Sequence, residues 1–286
     1  DRVMLPQLKQ LVTNYKPALL FSDGDWWMDY KKWRTLQFLS WALNNAANKD
    51  ELVFNDRWGK VRGKHGGYYT TEYGSGFADG TIPWEENRGI GMSFGINRIE
   101  NIDDYRTDKE LIFMLVDIVS RGGNLLLNIG PNADGTIPVI MQQRLIEIGN
   151  WLSVCGEGIY NTKQWIKDAQ WSSGMIPSFT KNDFHAGFPI YEMTINPKMG
   201  NAVKEFWFTK KENHLYVFTP QWPKKTKLLI KDVKTTIKTE VKLMGCEKSL
   251  PYTETSKGII IDISSINIHD LKSHYVFGFK ISNIKE

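Results

Sequence analysis

The stretch ALLFSDGDWW, residues 18–27, decides how this chain folds. ALLF (18–21) is a short continuous apolar run, the pattern of a strand buried on both faces of a parallel sheet. SDGDWW then sets carboxylates and indoles directly after it, and Gly24 permits a sharp exit. Outward from there the pattern repeats. Residues 3–15 carry Leu5, Leu8, Leu11 and Val12 at helical spacing and stop before Pro17, 31–47 is again helical, and ELVFN (51–55) is a second buried strand. A loop-rich stretch, 56–89, leads to a third candidate strand, GMSFGI (91–96). Thr107 opens a helix with Leu111, Leu115, Ile118 and Val119 on one face, NLLLNIG (124–130) is a fourth strand, and Pro138 starts a last helix ending near Gly156. Strand–helix alternation predicts βα units in a parallel sheet. With polar groups just past the strand C-termini, it matches half of a (β/α)8-like barrel.

Beyond Trp165 the helical period disappears. KEFWFTKKENHLYVFTP, KLLIKDV, IKTEVKLM, GIIIDI and HYVFGFKI are short alternating runs separated by Asn, Gly, Pro and Lys, which predicts an antiparallel β-sandwich. The fold class read from the sequence is therefore α/β, a half-barrel over 1–167 followed by a β-sandwich over 168–286.

Composition narrows the function. A net charge of +4 with scattered lysines gives no footprint for nucleic acid, and no apolar run is long enough to span a membrane. Cys155 and Cys246 lie in different proposed domains without partners at metal-ligand spacing, so neither a disulfide framework nor a metal site is implied. Eleven tryptophans, many beside Asp, Glu, Arg and Gly, suit pyranose recognition, in which an indole stacks on apolar C–H faces while polar groups meet the hydroxyls. For any one of these indoles a place in the core is the more ordinary reading.

Asp23, just past a strand end, can face a pocket or act as a turn residue. NDRWG (55–59) adds Asn55, Asp56, Arg57 and Trp58 at the next strand end, where Arg57 can hold hydroxyls or carboxylates, or pair with Asp56 to brace the rim. Glu72, Glu85 and Glu86 in the long loop can supply a second carboxyl, with Trp84 beside Glu85 to raise its pKa. Two carboxyls roughly 5 Å apart are what a retaining glycosidase requires.

Five strings in order, YKPALLFSDGDW, LVFNDRWG, HGGYY, GGNLLLNIGPNADGTI and WLSVCGEGIY, resemble the α-L-fucosidases of glycoside hydrolase family 29. The resemblance covers about 3–165, and the β-rich remainder looks like that family's C-terminal domain. It implies hydrolysis of terminal α-linked L-fucose from fucosylated oligosaccharides or glycoconjugates, with retention and with no metal or organic cofactor. It also implies Asp23 as nucleophile, Glu85 as acid/base with Glu72 second, and Arg57, Trp58, Phe21 and Phe94 around the sugar. A periplasmic, secreted or lysosomal location follows from the family. The histidines and Glu-Trp pair of the family's first barrel strands have no counterpart here; His65 is the only histidine before residue 180. The expectation is an N-terminal half-barrel as partner. A non-catalytic sugar-binding protein of the same fold is the competing class, and a β-domain with an interaction role of its own is a third.

Overall fold

A computed structural model describes residues 2–60, 62–74, 76–77, 80–176 and 197–285. Contacts group them into two compact units, 1–71 with 81–85, and 72–80 with 86–286.

In the first unit α1 (Met4–Tyr15) buries Leu5 and Val12, and ends where Lys16 turns left-handed (φ 46°). β1 (Leu19–Leu20) runs parallel to β2 (Val53–Phe54), and α2 (Thr35–Asn45) is the crossover between them. Phe38, Leu39 and Ala42 of α2 pack with Phe54 and Trp58 into the unit's apolar core. β3 (Tyr69–Glu72) continues the parallel order through a bridge between Asn55 and Tyr68. HGG (65–67) permits this approach, because a Cβ at Gly66 would stand 1.9 Å from the Asn55 carbonyl oxygen and one at Gly67 2.7 Å from that of Phe54.

β4 (Trp84–Gly89) is the next strand. The bonds Tyr69 N→Pro83 O and Tyr73 N→Asn87 O keep one offset, which makes β3 and β4 parallel. Their sheet is ordered β3-β4-β5, with β5 at Gly123–Asn128. The segment expected as one long loop, 56–89, thus holds two strands, and the expected strand at 91–96 is absent. The chain leaves β4 at Gly89 and folds back so closely that a Cβ there would lie 2.1 Å from the Ser93 carbonyl oxygen. Met92, Phe94 and Ile96 are exposed. Among the described residues β1 and β5 each have one strand neighbour only.

In the second unit α3 (Asp108–Ser120) starts at a capping box: Thr107 Oγ1 accepts from Glu110 N, and Glu110 Oε2 accepts from Thr107 N. α4 (Val139–Cys155) follows Pro138 at its N-cap, and the indole of Trp151 donates to the Val276 carbonyl at 2.9 Å. The β-rich part begins at Lys163, within the region first assigned to the barrel. β6 (Lys163–Trp171), β7 (Lys204–Lys211), β8 (His214–Thr219), β13 (Phe277–Ser282) and β10 (Glu240–Leu243) form a five-stranded sheet ordered β10-β13-β8-β7-β6. β9 (Lys227–Lys231), β12 (Gly258–Asp262) and β11 (Tyr252–Thr255) form a three-stranded sheet, ordered β11-β12-β9. All the registered pairs are antiparallel, and residues of both sheets share one core that includes Phe208, Val217, Ile230, Ile259 and Phe279. The chain is an α/β half-barrel segment followed by a β-sandwich.

A buried ionic cluster fastens α3 to the sandwich. Asp117 accepts from Lys204 Nζ at 2.7 Å, from Arg121 Nε at 2.8 Å and from the Trp207 indole at 3.1 Å, while Lys204 also meets Asp168 at 2.9 Å. Burial pushes the Asp117 carboxyl up, but Lys204 and then Arg121 outweigh it and leave the pKa below the usual 3.8. This depressed carboxyl stabilises fully above the unfolded value and loses that contribution only as pH falls through its lower folded value. Replacing Lys204 by Ala removes the cation shared by Asp117 and Asp168 and leaves the buried Asp117 only Arg121 and the Trp207 indole, so Lys204→Ala should lower stability by about 3 kcal/mol, read from the urea midpoint at pH 7.

Candidate active site

Strand pairing puts Asp23 at a rim. Past β1 the chain is pinned to Asn55, whose Oδ1 accepts from Ser22 N at 3.1 Å and whose Nδ2 donates to Ser22 O at 2.7 Å. Ser22 Oγ donates to the Arg57 carbonyl. Gly24 (φ 87°) then turns the backbone into one 3-10 turn, Asp25–Trp27. Arg57 Nη1 donates to Asp23 Oδ1 at 2.8 Å, with the arginine side chain 4% exposed and the aspartate 57% exposed. The guanidinium also lies 5.0 Å from the Phe21 ring centroid. A solvent-facing carboxylate is thus aimed by a buried cation.

Thr70, on β3, orients that cation. Its hydroxyl donates to Asp56 Oδ1 at 2.8 Å and accepts from Arg57 Nε at 2.9 Å and Arg62 Nη1 at 3.2 Å. Asp56 Oδ1 also accepts from Thr70 N at 3.1 Å, and burial holds the Asp56 carboxyl above its ordinary pKa despite the Thr70 bond. Asp56 is therefore the brace the sequence allowed for, acting through Thr70. Nothing in the sequence marked Thr70, since a threonine in a polar run has no signature of its own.

A cavity of about 270 Å³ opens beside Asp23, with Met4, Leu8, Trp33, Phe38 and Trp58 on its apolar side and Ser22, Asp25, Thr35 and Arg57 on its polar side. Trp58 is less available to a sugar than the sequence suggested. Its ring stacks on Phe38 at 5.4 Å and meets Phe54 edge-on at 5.7 Å, so the indole belongs to the aromatic core and lends the cavity only a wall. Asp25 is buried, its Oδ1 has no hydrogen-bond partner among the described residues, and desolvation, opposed by Arg62 at 3.6 Å, raises its pKa.

The three glutamates have different surroundings. Glu86 is buried, and its Oε1 accepts from Gly74 N at 2.9 Å and Arg88 Nε at 3.1 Å, a structural pair without access to a ligand. Glu85 lies in the first unit, close enough to Tyr68 for its charge to add to the burial that raises the tyrosine pKa. Neighbours along a strand point to opposite faces, so the buried Trp84 stands on the other face of β4 and does not wall Glu85 as expected. Glu72 is the last residue of β3 and shares a face with Thr70. Phe94, in the second unit, is exposed and meets Tyr73 edge-on at 5.4 Å.

Comparison with known proteins matches the chain to one family. The profile "Alpha-L-fucosidase" covers residues 1–157, more than half the chain, and "Alpha-L-fucosidase C-terminal domain" covers 200–282. The chain belongs to the α-L-fucosidase family. It is 34% identical over 295 residues to an α-L-fucosidase of Dictyostelium discoideum, and 35% identical over 290 residues to the plasma α-L-fucosidase of Rattus norvegicus. Those alignments take in 100% and 98% of this chain but only 57% and 56% of the relatives, so the chain spans about half their length. The crystal structure of Thermotoga maritima α-fucosidase with a mechanism-based inhibitor superposes with a TM-score of 0.72 at 29% identity, covering 97% of this chain and 55% of that one.

If Thr70 orients Arg57, then Thr70→Val, which keeps shape and removes the hydroxyl that Arg57 Nε and Asp56 both bond, should lower stability by about 1–3 kcal/mol in urea unfolding, while Thr70→Ser restores most of it. Equal losses in both variants would contradict the hydroxyl's role.

Proposed function

We propose that this chain is the nucleophile-bearing part of a retaining exo-α-L-fucosidase acting on fucosylated oligosaccharides or glycoconjugates. The observation that carries this reading is the exposed Asp23 carboxylate held at 2.8 Å by the buried Arg57, in a chain of this family. Asp23 attacks the anomeric carbon and displaces the aglycone oxygen, which takes a proton from a carboxylic acid. The resulting fucosyl-aspartyl ester is cleaved by water, and the same carboxylate now removes water's proton, so configuration is retained. Arg57 holds Asp23 oriented for attack, and the Phe21 ring beside it offers an apolar wall for the sugar.

Two glutamates compete for the acid/base role. Glu85 shares a unit with Asp23, and the sequence put it first. Glu72 is the reading strand geometry favours, because it closes β3 at its C-terminal end, on the face of Thr70, where barrel strands present catalytic groups. Glu72→Gln should cut hydrolysis of an unactivated fucoside by 10²-fold or more while sparing substrates with good leaving groups. The same selectivity in Glu85→Gln instead moves the role to Glu85.

Activity in this reading needs the rest of the barrel. The chain spans 57% of its Dictyostelium relative, β1 and β5 lack outer neighbours among the described residues, and Leu19 on β1 is 47% exposed. Open strand edges of this kind are covered in stable proteins. An N-terminal half-barrel is the proposed partner, and a periplasmic or secreted location, or a lysosomal one in a eukaryote, accompanies the proposal. No described helix is long and apolar enough to cross a membrane.

The test is hydrolysis of 4-nitrophenyl α-L-fucoside by this chain supplied with the missing half-barrel, beside Asp23→Ala with and without azide. Asp23→Ala should lose at least 10³-fold, with azide restoring part of the rate and yielding fucosyl azide. If the complemented protein binds fucose yet Asp23→Ala changes no rate, the non-catalytic sugar-binding reading replaces this one.

A further inference from the structure

Charge is unevenly divided along the chain. From Lys163 to Glu286 there are 19 lysines, no arginine and 12 acidic residues, a surplus of seven positive charges, whereas residues 1–162 hold 17 basic and 20 acidic side chains. Four of these lysines, all exposed, share one part of the sandwich. A groove of about 450 Å³ is lined by Trp222, Lys224, Lys225, Lys227 and Lys231, with the buried Gln170 among its other walls. Gln170 fixes that wall by donating to Leu229 O and accepting from Lys231 N, both at 2.9 Å.

Strand chemistry sets the lysines out. β9 reads Lys-Leu-Leu-Ile-Lys with its ends exposed and Leu228 and Ile230 in the core, so Lys227 and Lys231 project from one face, about 13 Å apart along the strand. Lys224 and Lys225 follow Pro223 in the connection before it, beside Trp222, whose ring packs edge-on against Phe277 at 5.1 Å and stays partly exposed. None of the four exposed lysines makes an ion pair with a described residue. Their acidic neighbours are Glu205 in the groove wall and Asp262, which faces Lys227 across the β12–β9 ladder. Lys204, also in the wall, is neutralised by Asp117 and Asp168. The groove therefore keeps a net positive field.

We infer that this groove is a second carbohydrate site, binding an acidic glycan through its sulfate or carboxylate groups while Trp222 meets a sugar ring. The choice of an acidic glycan rests on the proposed fucosidase reading; the positive groove itself does not. Ammonium groups act as hydrated point charges, without the planar forks that grip phosphate bidentately, and one aromatic ring is too few for the serial base stacking of a single-strand nucleic-acid channel. The groove would hold the enzyme on an anionic polysaccharide while the active site removes its terminal fucose.

The test is equilibrium binding of this chain to dextran sulfate, polygalacturonate, neutral dextran and a single-stranded oligonucleotide, at low and at physiological salt. Binding to at least one acidic polysaccharide, weakened by salt and absent for neutral dextran, is expected, and the two acidic arms separate sulfate from carboxylate recognition. Replacing Lys224, Lys225, Lys227 and Lys231 together by Ala should weaken it at least about tenfold. The same change at Lys238, Lys248, Lys257 and Lys272, exposed elsewhere on the sandwich, should have little effect. Equal weakening by both sets, equal affinity for neutral dextran, or tighter binding of the oligonucleotide would overturn the inference. Because binding is read without turnover, an inactive Asp23 site would leave this result intact.

Discussion

The site depends on burying one arginine. Arg57 has almost no access to water, so its charge must be met within the protein, and Asp23 and Thr70 meet it. A guanidinium so enclosed cannot swing away without stranding its charge, a constraint worth several kcal/mol. That gives the solvent-facing Asp23 a fixed direction even though its own side chain is free on the other side. Catalytic carboxylates need this kind of preorganisation, because a nucleophile that must be oriented at the moment of attack forfeits much of the advantage of proximity.

The supports form a hierarchy. Asn55 ties the Ser22 backbone to the end of β2, and the glycines at 66 and 67 let β3 come close enough for Thr70 to reach Asp56, Arg57 and Arg62. Each layer is set by a short-range steric or hydrogen-bond requirement, and each places the next. The ionic cluster of Asp117, Arg121 and Lys204 has another task, since it is wholly buried and fully paired and therefore fixes α3 to the sandwich without offering a ligand any surface.

Apolar pattern made much of this legible beforehand. ALLF, ELVFN and NLLLNIG are continuous apolar runs, and each holds a strand in the structure, although Leu19 and Val53 are exposed rather than buried; each helical stripe holds a helix. Two strands were hidden because their sequences, YTTE and WEENRG, are polar and charged. They are buried through pairing, Glu86 with Arg88 and Thr70 with Asp56, and hydropathy scores each polar side chain alone, without the partner that satisfies it. GMSFGI misled for the opposite reason, being apolar enough for a strand while glycines at its entry and within it serve a tight reversal. In the candidate site the strand-end positions of Asp23 and Arg57 were readable, whereas the contact of Thr70 with Arg57 emerges only when β2 and β3 lie side by side. Trp84 next to Glu85 shows the limit of adjacency, since neighbours in sequence face opposite ways along a strand.

The most direct measurement of the central claim is covalent trapping. The complemented protein would be incubated with 2-deoxy-2-fluoro-fucosyl fluoride, digested and sequenced by mass spectrometry to find the sugar-bearing residue. The account predicts one adduct, on the peptide bearing Asp23 and at that carboxylate, and none in Asp23→Asn. An adduct on another carboxylate, or an active enzyme that never acquires one, would contradict it.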